Sequence, residues 1–183
     1  MMALGPIITE QQERLFKNDK PINGQHSCTS HVGRYFELLT KERYNAKEIK
    51  HRACSDCPDL ALIDSIDGSV FMIIEVKSFR KGKGHCLLNE ERMQRYEQLK
   101  IPLLYVFWVY DFAPGKIKGT IELCKALKTC GKKKYAVAGI DLHVFCRKNL
   151  KLEKYIGGPG ANPERGFNFY RVKEKHLKKI VLG

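Results

Sequence analysis

The chain has 183 residues, 43% of them hydrophobic and 29% charged, enough for one domain with its own hydrophobic core. Its apolar runs stop short of the roughly 18 residues a membrane-crossing helix needs, and residues 1–8 lack the basic start and long apolar stretch of a secretory signal, so the sequence reads as one cytoplasmic domain over residues 1–183. With 33 Lys and Arg against 20 Asp and Glu the net charge is +13, which points to a polyanionic partner; no lysine-rich amphipathic helix with an aromatic face favours a membrane surface instead.

Seven cysteines are an odd number for a disulfide framework, and reduced thiols are expected in a cytosolic chain of this size. There is no internal repeat, low-complexity tract or long linker. Thr9 with Gln12 has the spacing of a capping box and opens a short helix over residues 9–18. Pro21, Asn23 and Gly24 mark residues 19–28 as a loop. Residues 30–44 place Val32, Tyr35, Phe36, Leu39 and Arg43 at intervals of three and four, an amphipathic helix with Arg34, Glu37 and Lys41 beside the apolar stripe.

A hairpin follows: a strand over residues 60–65, a turn at Asp67 and Gly68, and a strand over residues 69–78. Residues 70–74 are apolar on both faces, as in a strand buried within a sheet. Residues 80–84 are a glycine-rich basic loop. Asn89 caps a helix with Glu90 and Glu91 in its first turn, which must end before Pro102. Residues 103–110 form a second fully apolar strand, suited to a crossover onto the same sheet. Beyond it the pattern predicts a helix over 120–129, a strand over 136–145, a loop over 157–166 and a terminal helix over 174–181. The fold class is therefore α/β, a mixed sheet flanked by helices.

The chemistry concentrates on the hairpin. Glu75 and Lys77 lie two apart in a strand and project from one face. If the hairpin closes with a three-residue loop, Ile66-Asp67-Gly68, with Gly68 left-handed, Asp59 falls opposite Glu75. A two-residue Asp67-Gly68 turn would send Asp59 to the other face, so the site requires the longer loop or a bulge. Two adjacent carboxylates repel each other, and they are tolerated chiefly when they share a hard cation such as Mg²⁺. A neighbouring lysine can hold or deprotonate a water and stabilise charge developing on a phosphate. This is the chemistry of phosphodiester hydrolysis; the bland alternative is a surface hairpin with a solvated Glu/Lys pair.

Pro58-Asp59 followed by Glu75-Val76-Lys77, preceded by Glu37 on a helix and followed by a helix carrying Gln94, resembles the PD-(D/E)XK nuclease superfamily, which includes restriction endonucleases and archaeal Holliday-junction resolvases. The resemblance covers residues 30–111 in its order of elements, with 112–183 an extension of the same domain. It implies a restriction-endonuclease-like sheet and a metal-dependent DNA endonuclease. Asp59, Glu75 and the Val76 carbonyl would be ligands of Mg²⁺, for which Mn²⁺ can substitute, Lys77 the water-activating residue, and Glu37 the helical acid that reaches the metal directly or through a water. It also implies a homodimer, because one site cuts one strand.

Arg80, Lys81 and Lys83, just beyond Lys77, are expected to hold the neighbouring phosphate, with Lys50 and Arg52 as further nucleic-acid contacts; the alternative for any one basic run is a solvated face. Cys28 and His31, then Cys54 and Cys57, form two close pairs whose donors suit a tetrahedral Zn²⁺ site, or they are reduced cysteines packed near a sheet edge. A rival to the enzyme is thus a non-catalytic, zinc-stabilised nucleic-acid-binding module. Tyr105, Phe107, Trp108 and Tyr110 read as core.

Overall fold

The computed structural model describes residues 25–49, 58–82, 84–114, 120–155 and 166–182. The expected helix over 9–18, the basic residues Lys50, Arg52 and Lys83, Cys54 and Cys57, and most of the loop over 157–166 lie outside them. The described residues form five helices and eight strands: α1 Gln25–Tyr44, β1 Lys47–Glu48, β2 Leu60–Ile63, β3 Val70–Arg80, β4 Cys86–Asn89, α2 Glu90–Gln98, β5 Leu103–Tyr110, α3 Thr120–Thr129, β6 Lys132–Ala138, α4 Gly139–Asn149, β7 Leu152–Tyr155, β8 Phe167–Val172 and α5 Glu174–Leu182. The fold is α/β. A five-stranded mixed sheet runs in the order β1-β2-β3-β5-β6, and a separate three-stranded sheet in the order β4-β8-β7. Only β3 and β5 pair in parallel within the larger sheet.

Side-chain alternation along β5 explains the layering. Tyr105, Phe107 and Val109 enter a core shared with Met93 and Tyr96 of α2, Leu142 of α4 and Leu177 of α5. Val106, Trp108 and Tyr110 enter a second core with Val32 and Phe36 of α1 and Leu123 and Leu127 of α3. Both faces of the central strand are thus covered, which is why its sequence is continuously apolar. The aromatics are core, as expected, and the indole of Trp108 donates to Thr40 Oγ1 at 2.8 Å while that hydroxyl donates to the Phe36 carbonyl. A buried polar pair of this kind leaves no unmet donor in the apolar layer.

The hairpin differs from expectation at its tip and agrees with it at its base. Asp64 N–H donates to Ser69 O at 2.8 Å, so the loop is the four residues 65–68, with Gly68 at φ +73°. The register then shifts between Leu62 and Ile63, leaving Phe71 as the bulged residue of β3. One extra residue in the bulge offsets the longer loop, so Leu60 pairs with Ile74 and Asp59, by continuation, stands opposite Glu75.

Two further departures lie in the C-terminal third. The strand expected over 136–145 ends at Ala138, and α4 takes the rest. Ile140, Leu142, Val144 and Cys146 alternate as in a strand, yet the buried residues are Leu142, His143 and Cys146, at helical spacing, while Ile140 is 66% exposed. The small sheet is also additional: β4, β7 and β8 are each six residues or fewer, too short for a clear period.

β3 reaches β4 through a turn at Lys81 and Gly82, Gly82 having φ +75°. Gly84 N–H closes it onto Arg80 O at 2.7 Å. A Cβ at Gly84 would run into the Arg80 carbonyl and amide. Gly84→Ala is therefore expected to cost about 1–3 kcal/mol, as overpacking does, read as a lower urea midpoint with an unchanged slope.

Candidate active site

Glu75 and Lys77 project from β3 on the side of Tyr105 and Phe107, towards α2 and the small sheet. Glu75 is 1% exposed, and an isolated buried carboxylate would be strongly disfavoured. It is held by donors on both oxygens. Tyr96 donates to Oε2 at 2.8 Å, and Oε1 accepts from Lys77 Nζ and faces Arg92 Nη1 at 3.5 Å. Burial alone would lower the pKa of Lys77, but the charges of Glu75 and Asp59 outweigh it and hold the ammonium above the usual lysine range. Burial, followed by the Glu75 charge and hydrogen bond, pushes the Tyr96 hydroxyl well up.

Asp59 Oδ2 accepts from the Val76 amide at 2.7 Å. That bond ties the residue before β2 to the middle of β3. Burial and the Glu75 charge raise the Asp59 carboxyl well above its ordinary value, and Lys77 opposes them. The site opens into a cavity of about 310 Å³ lined by Glu75, Lys77, Asn89, Arg92, Tyr105 and Phe167 among others. Behind it Tyr105 Oη lies 3.0 Å from His143 Nε2, His143 Nδ1 lies 2.8 Å from Glu97, and Arg147 clamps Glu97. A second cavity of about 310 Å³, beside Glu97, Leu103 and Ile140, is mostly apolar.

The structure brings Asp59, Glu75 and Lys77 together. Glu37 stands on α1, which covers the opposite face of the sheet. Its carboxylate pairs with Arg34 at 2.9 Å, and Arg34 bridges on to Glu48 at 2.7 Å. Its charge still contributes to raising Asp59. Among the described residues no group of three or more His, Cys, Asp or Glu side chains is gathered to hold a metal ion. The remaining donor set of Asp59, Glu75 and a backbone carbonyl suits Mg²⁺, which keeps several waters and typically uses one or two carboxylates.

Arg80 is the last residue of β3 and, by alternation, lies on the face opposite Lys77, where its charge acts on Tyr110. Lys81 is exposed and sits 3.6 Å from Asp111. Of the Cys/His cluster only His31 has a described side chain, on α1, while Cys86, Cys124, Cys130 and Cys146 are free thiols. Lys132 caps the carbonyls of Leu127 and Lys128 at the end of α3, and Lys134 donates to Tyr44 Oη at 3.1 Å.

On α2 the group turned to the site is Arg92, not Gln94, which points outward and bonds Glu90. Tyr96 joins it. The signal for both is the phase set by Asn89, whose side chain caps Arg92 N–H: Asn89, Arg92, Met93 and Tyr96 fall on one helical face, and Gln94 does not.

Removing the hydroxyl in Tyr96→Phe leaves a lone pair of buried Glu75 unmet and should cost about 1–3 kcal/mol, measured by urea unfolding. A pH effect follows from His143, which is 1% exposed. Burial lowers its pKa, Glu97 opposes, and Arg147 adds to the lowering. The folded state keeps His143 neutral where the unfolded chain protonates it, so this stability is present above about pH 6.5 and is lost as pH falls through that value. The urea midpoint should drop over that range, and His143→Gln should flatten the drop, with a remainder from His85 and His176, which shift the same way.

Comparison of the chain with protein-family models, with curated proteins and with solved structures finds no match.

Proposed function

We propose that the protein is a Mg²⁺-dependent DNA endonuclease of the PD-(D/E)XK kind. The observation that carries this reading is the convergence of Glu75, Lys77 and Arg92 on one cavity, with Asp59 held beside them on the Val76 amide, in a chain with a net charge of +13. Asp59, Glu75 and the Val76 carbonyl would hold Mg²⁺ or its substitute Mn²⁺, while Glu37, paired with Arg34 on α1, contributes only its charge. When bound, the cation supplies positive charge that polarises the scissile phosphate. Lys77 holds a water and sets its ammonium against charge developing on the phosphate. Arg92 orients a phosphate oxygen from the cavity wall, and Leu87, Met93 and Phe167 keep the remaining lining apolar. Lys81, with Lys83, Lys50 and Arg52, would supply further contacts to the nucleic-acid backbone, whereas Arg80 stands on the opposite face. Cutting both strands at once calls for a homodimer.

A second reading has its own support. Both Glu75 oxygens already accept from side-chain donors, as they would if the cluster were structural in a non-catalytic nucleic-acid-binding module. Plasmid DNA separates the two. Under the first reading supercoiled plasmid is nicked or linearised in Mg²⁺ and left intact in EDTA. Asp59→Ala and Lys77→Ala should each lower cleavage by about a hundredfold or more, while affinity measured in EDTA changes little, because binding is a sum over many cations. Wild-type rates in either variant remove that residue from the site, and intact plasmid in Mg²⁺ with retained DNA binding selects the second reading. Binding should also weaken with salt, with a log–log slope of about −0.9 per phosphate neutralised on duplex.

A further inference from the structure

The small sheet carries an aromatic row that lies outside the clustered cores. In β8 the alternate residues Tyr170 and Val172 enter the core shared with α2 and α4. Phe167, Phe169 and Arg171 therefore share the other face, where Phe167 is opposite Tyr155, Phe169 is opposite Glu153 and Asn89, and Arg171 is opposite Leu87. The rings form a continuous ladder. Tyr155 and Phe167 have centroids 5.2 Å apart, Phe167 and Phe169 5.9 Å, and the Arg171 guanidinium lies 5.7 Å over Phe169. Phe169 is 3% exposed and supports the row from within, whereas Tyr155 is 47% exposed. None of the three rings belongs to the buried clusters of the described residues.

Two features indicate what this row meets. It is continuous with the candidate active site, since Phe167, Leu87 and Asn89 line the same cavity as Glu75, Lys77 and Arg92. It also carries cations: Lys151, Arg171 and Lys173 alternate onto the side of Tyr155 and Phe167, beside the carboxylate of Glu153, which Arg171 already pairs at 3.0 Å. An exposed ring backed by further rings and flanked by cations suits a strand whose phosphates are neutralised while its base faces stack on rings. A duplex hides those faces within its own stack, and only unpaired bases present them.

We propose that this face of the small sheet is a stacking platform for unpaired nucleobases, with Tyr155 as its outer ring and Phe167 as the ring at the cavity mouth. The substrate class that follows is nucleic acid that is single-stranded or frayed beside the scissile phosphate. The proposal rests on the nuclease reading for the word substrate, but the binding surface is independent of the chemistry.

The test is fluorescence anisotropy in EDTA with a labelled oligothymidylate, alone and annealed to oligodeoxyadenylate. Tyr155→Ala is expected to weaken single-strand binding by about tenfold, the loss of one stacked base, and to leave duplex binding unchanged. Tyr155→Phe should bind as the wild type does, because the ring is retained. A 2-aminopurine placed in the single strand should be quenched on binding the wild-type protein, a readout that needs no variant. Tyr155→Ala binding the single strand as tightly as wild type, or no quenching of 2-aminopurine, overturns the platform. So does an equal loss on single strand and duplex, the pattern of a purely electrostatic face; failure to bind either oligonucleotide overturns it as well and leaves the face to a protein partner. Cleavage of the same oligonucleotides in Mg²⁺ reports separately on the active site: cutting without stacking removes the platform alone, and stacking without cutting removes the nuclease alone.

Discussion

Burying one carboxylate at the centre of the sheet constrains everything around it. Glu75 is out of water on the only parallel strand pair among the described residues, and its charge is tolerable there only because Lys77, Arg92 and Tyr96 converge on it. Two of those donors belong to α2, so the helix must turn one face towards β3. Asn89 sets that face through its cap on Arg92 N–H. Asn89 also ends β4, and the same residue therefore couples the second sheet to the polar centre. Breaking a buried cluster of this kind at one member is costly, since the others are left uncompensated.

The parts of this arrangement that could be read from the sequence are those with a strong local period. The apolar runs of β3 and β5, the cap at Asn89 and the helical stripe from Val32 to Phe36 each carry their own signal, whereas the register that faces Asp59 with Glu75 was conditional on a longer loop or a bulge, and the structure supplies the bulge. The tip of the hairpin was not legible, because a four-residue loop with a bulge at Phe71 and a three-residue loop without one put Asp59 in the same place. In α4 two periods coincide over Ile140 to Cys146, and burial against α5 and β5 selects the helical one. The strands of the small sheet are too brief to show alternation, and they are stabilised by one another. Arg92 and Tyr96 were missed, although they share the helical face that starts at Asn89, and Gln94, the residue expected there, belongs to the other face.

The positive charge is less available than its total suggests. Arg34 is divided between Glu37 and Glu48, Arg147 between Glu90 and Glu97, and Lys132 and Lys134 are bonded to backbone carbonyls and to Tyr44. Such cations fasten α1 to β1, α2 to α4 and α3 to β6. The cations with no such duty include exposed Lys133, Lys148, Lys151 and Lys154.

β6 ends the larger sheet in the strand order, and its composition bears on how copies of the chain can associate. An outer strand offers its backbone as a template for another strand, a route to runaway aggregation that natural proteins block with lysines. β6 opens with Lys132, Lys133 and Lys134, two of them tethered to the fold and Lys133 projecting into solvent. Joining two such edges would bring like charges together along the seam. The charged edge thus opposes sheet growth through β6.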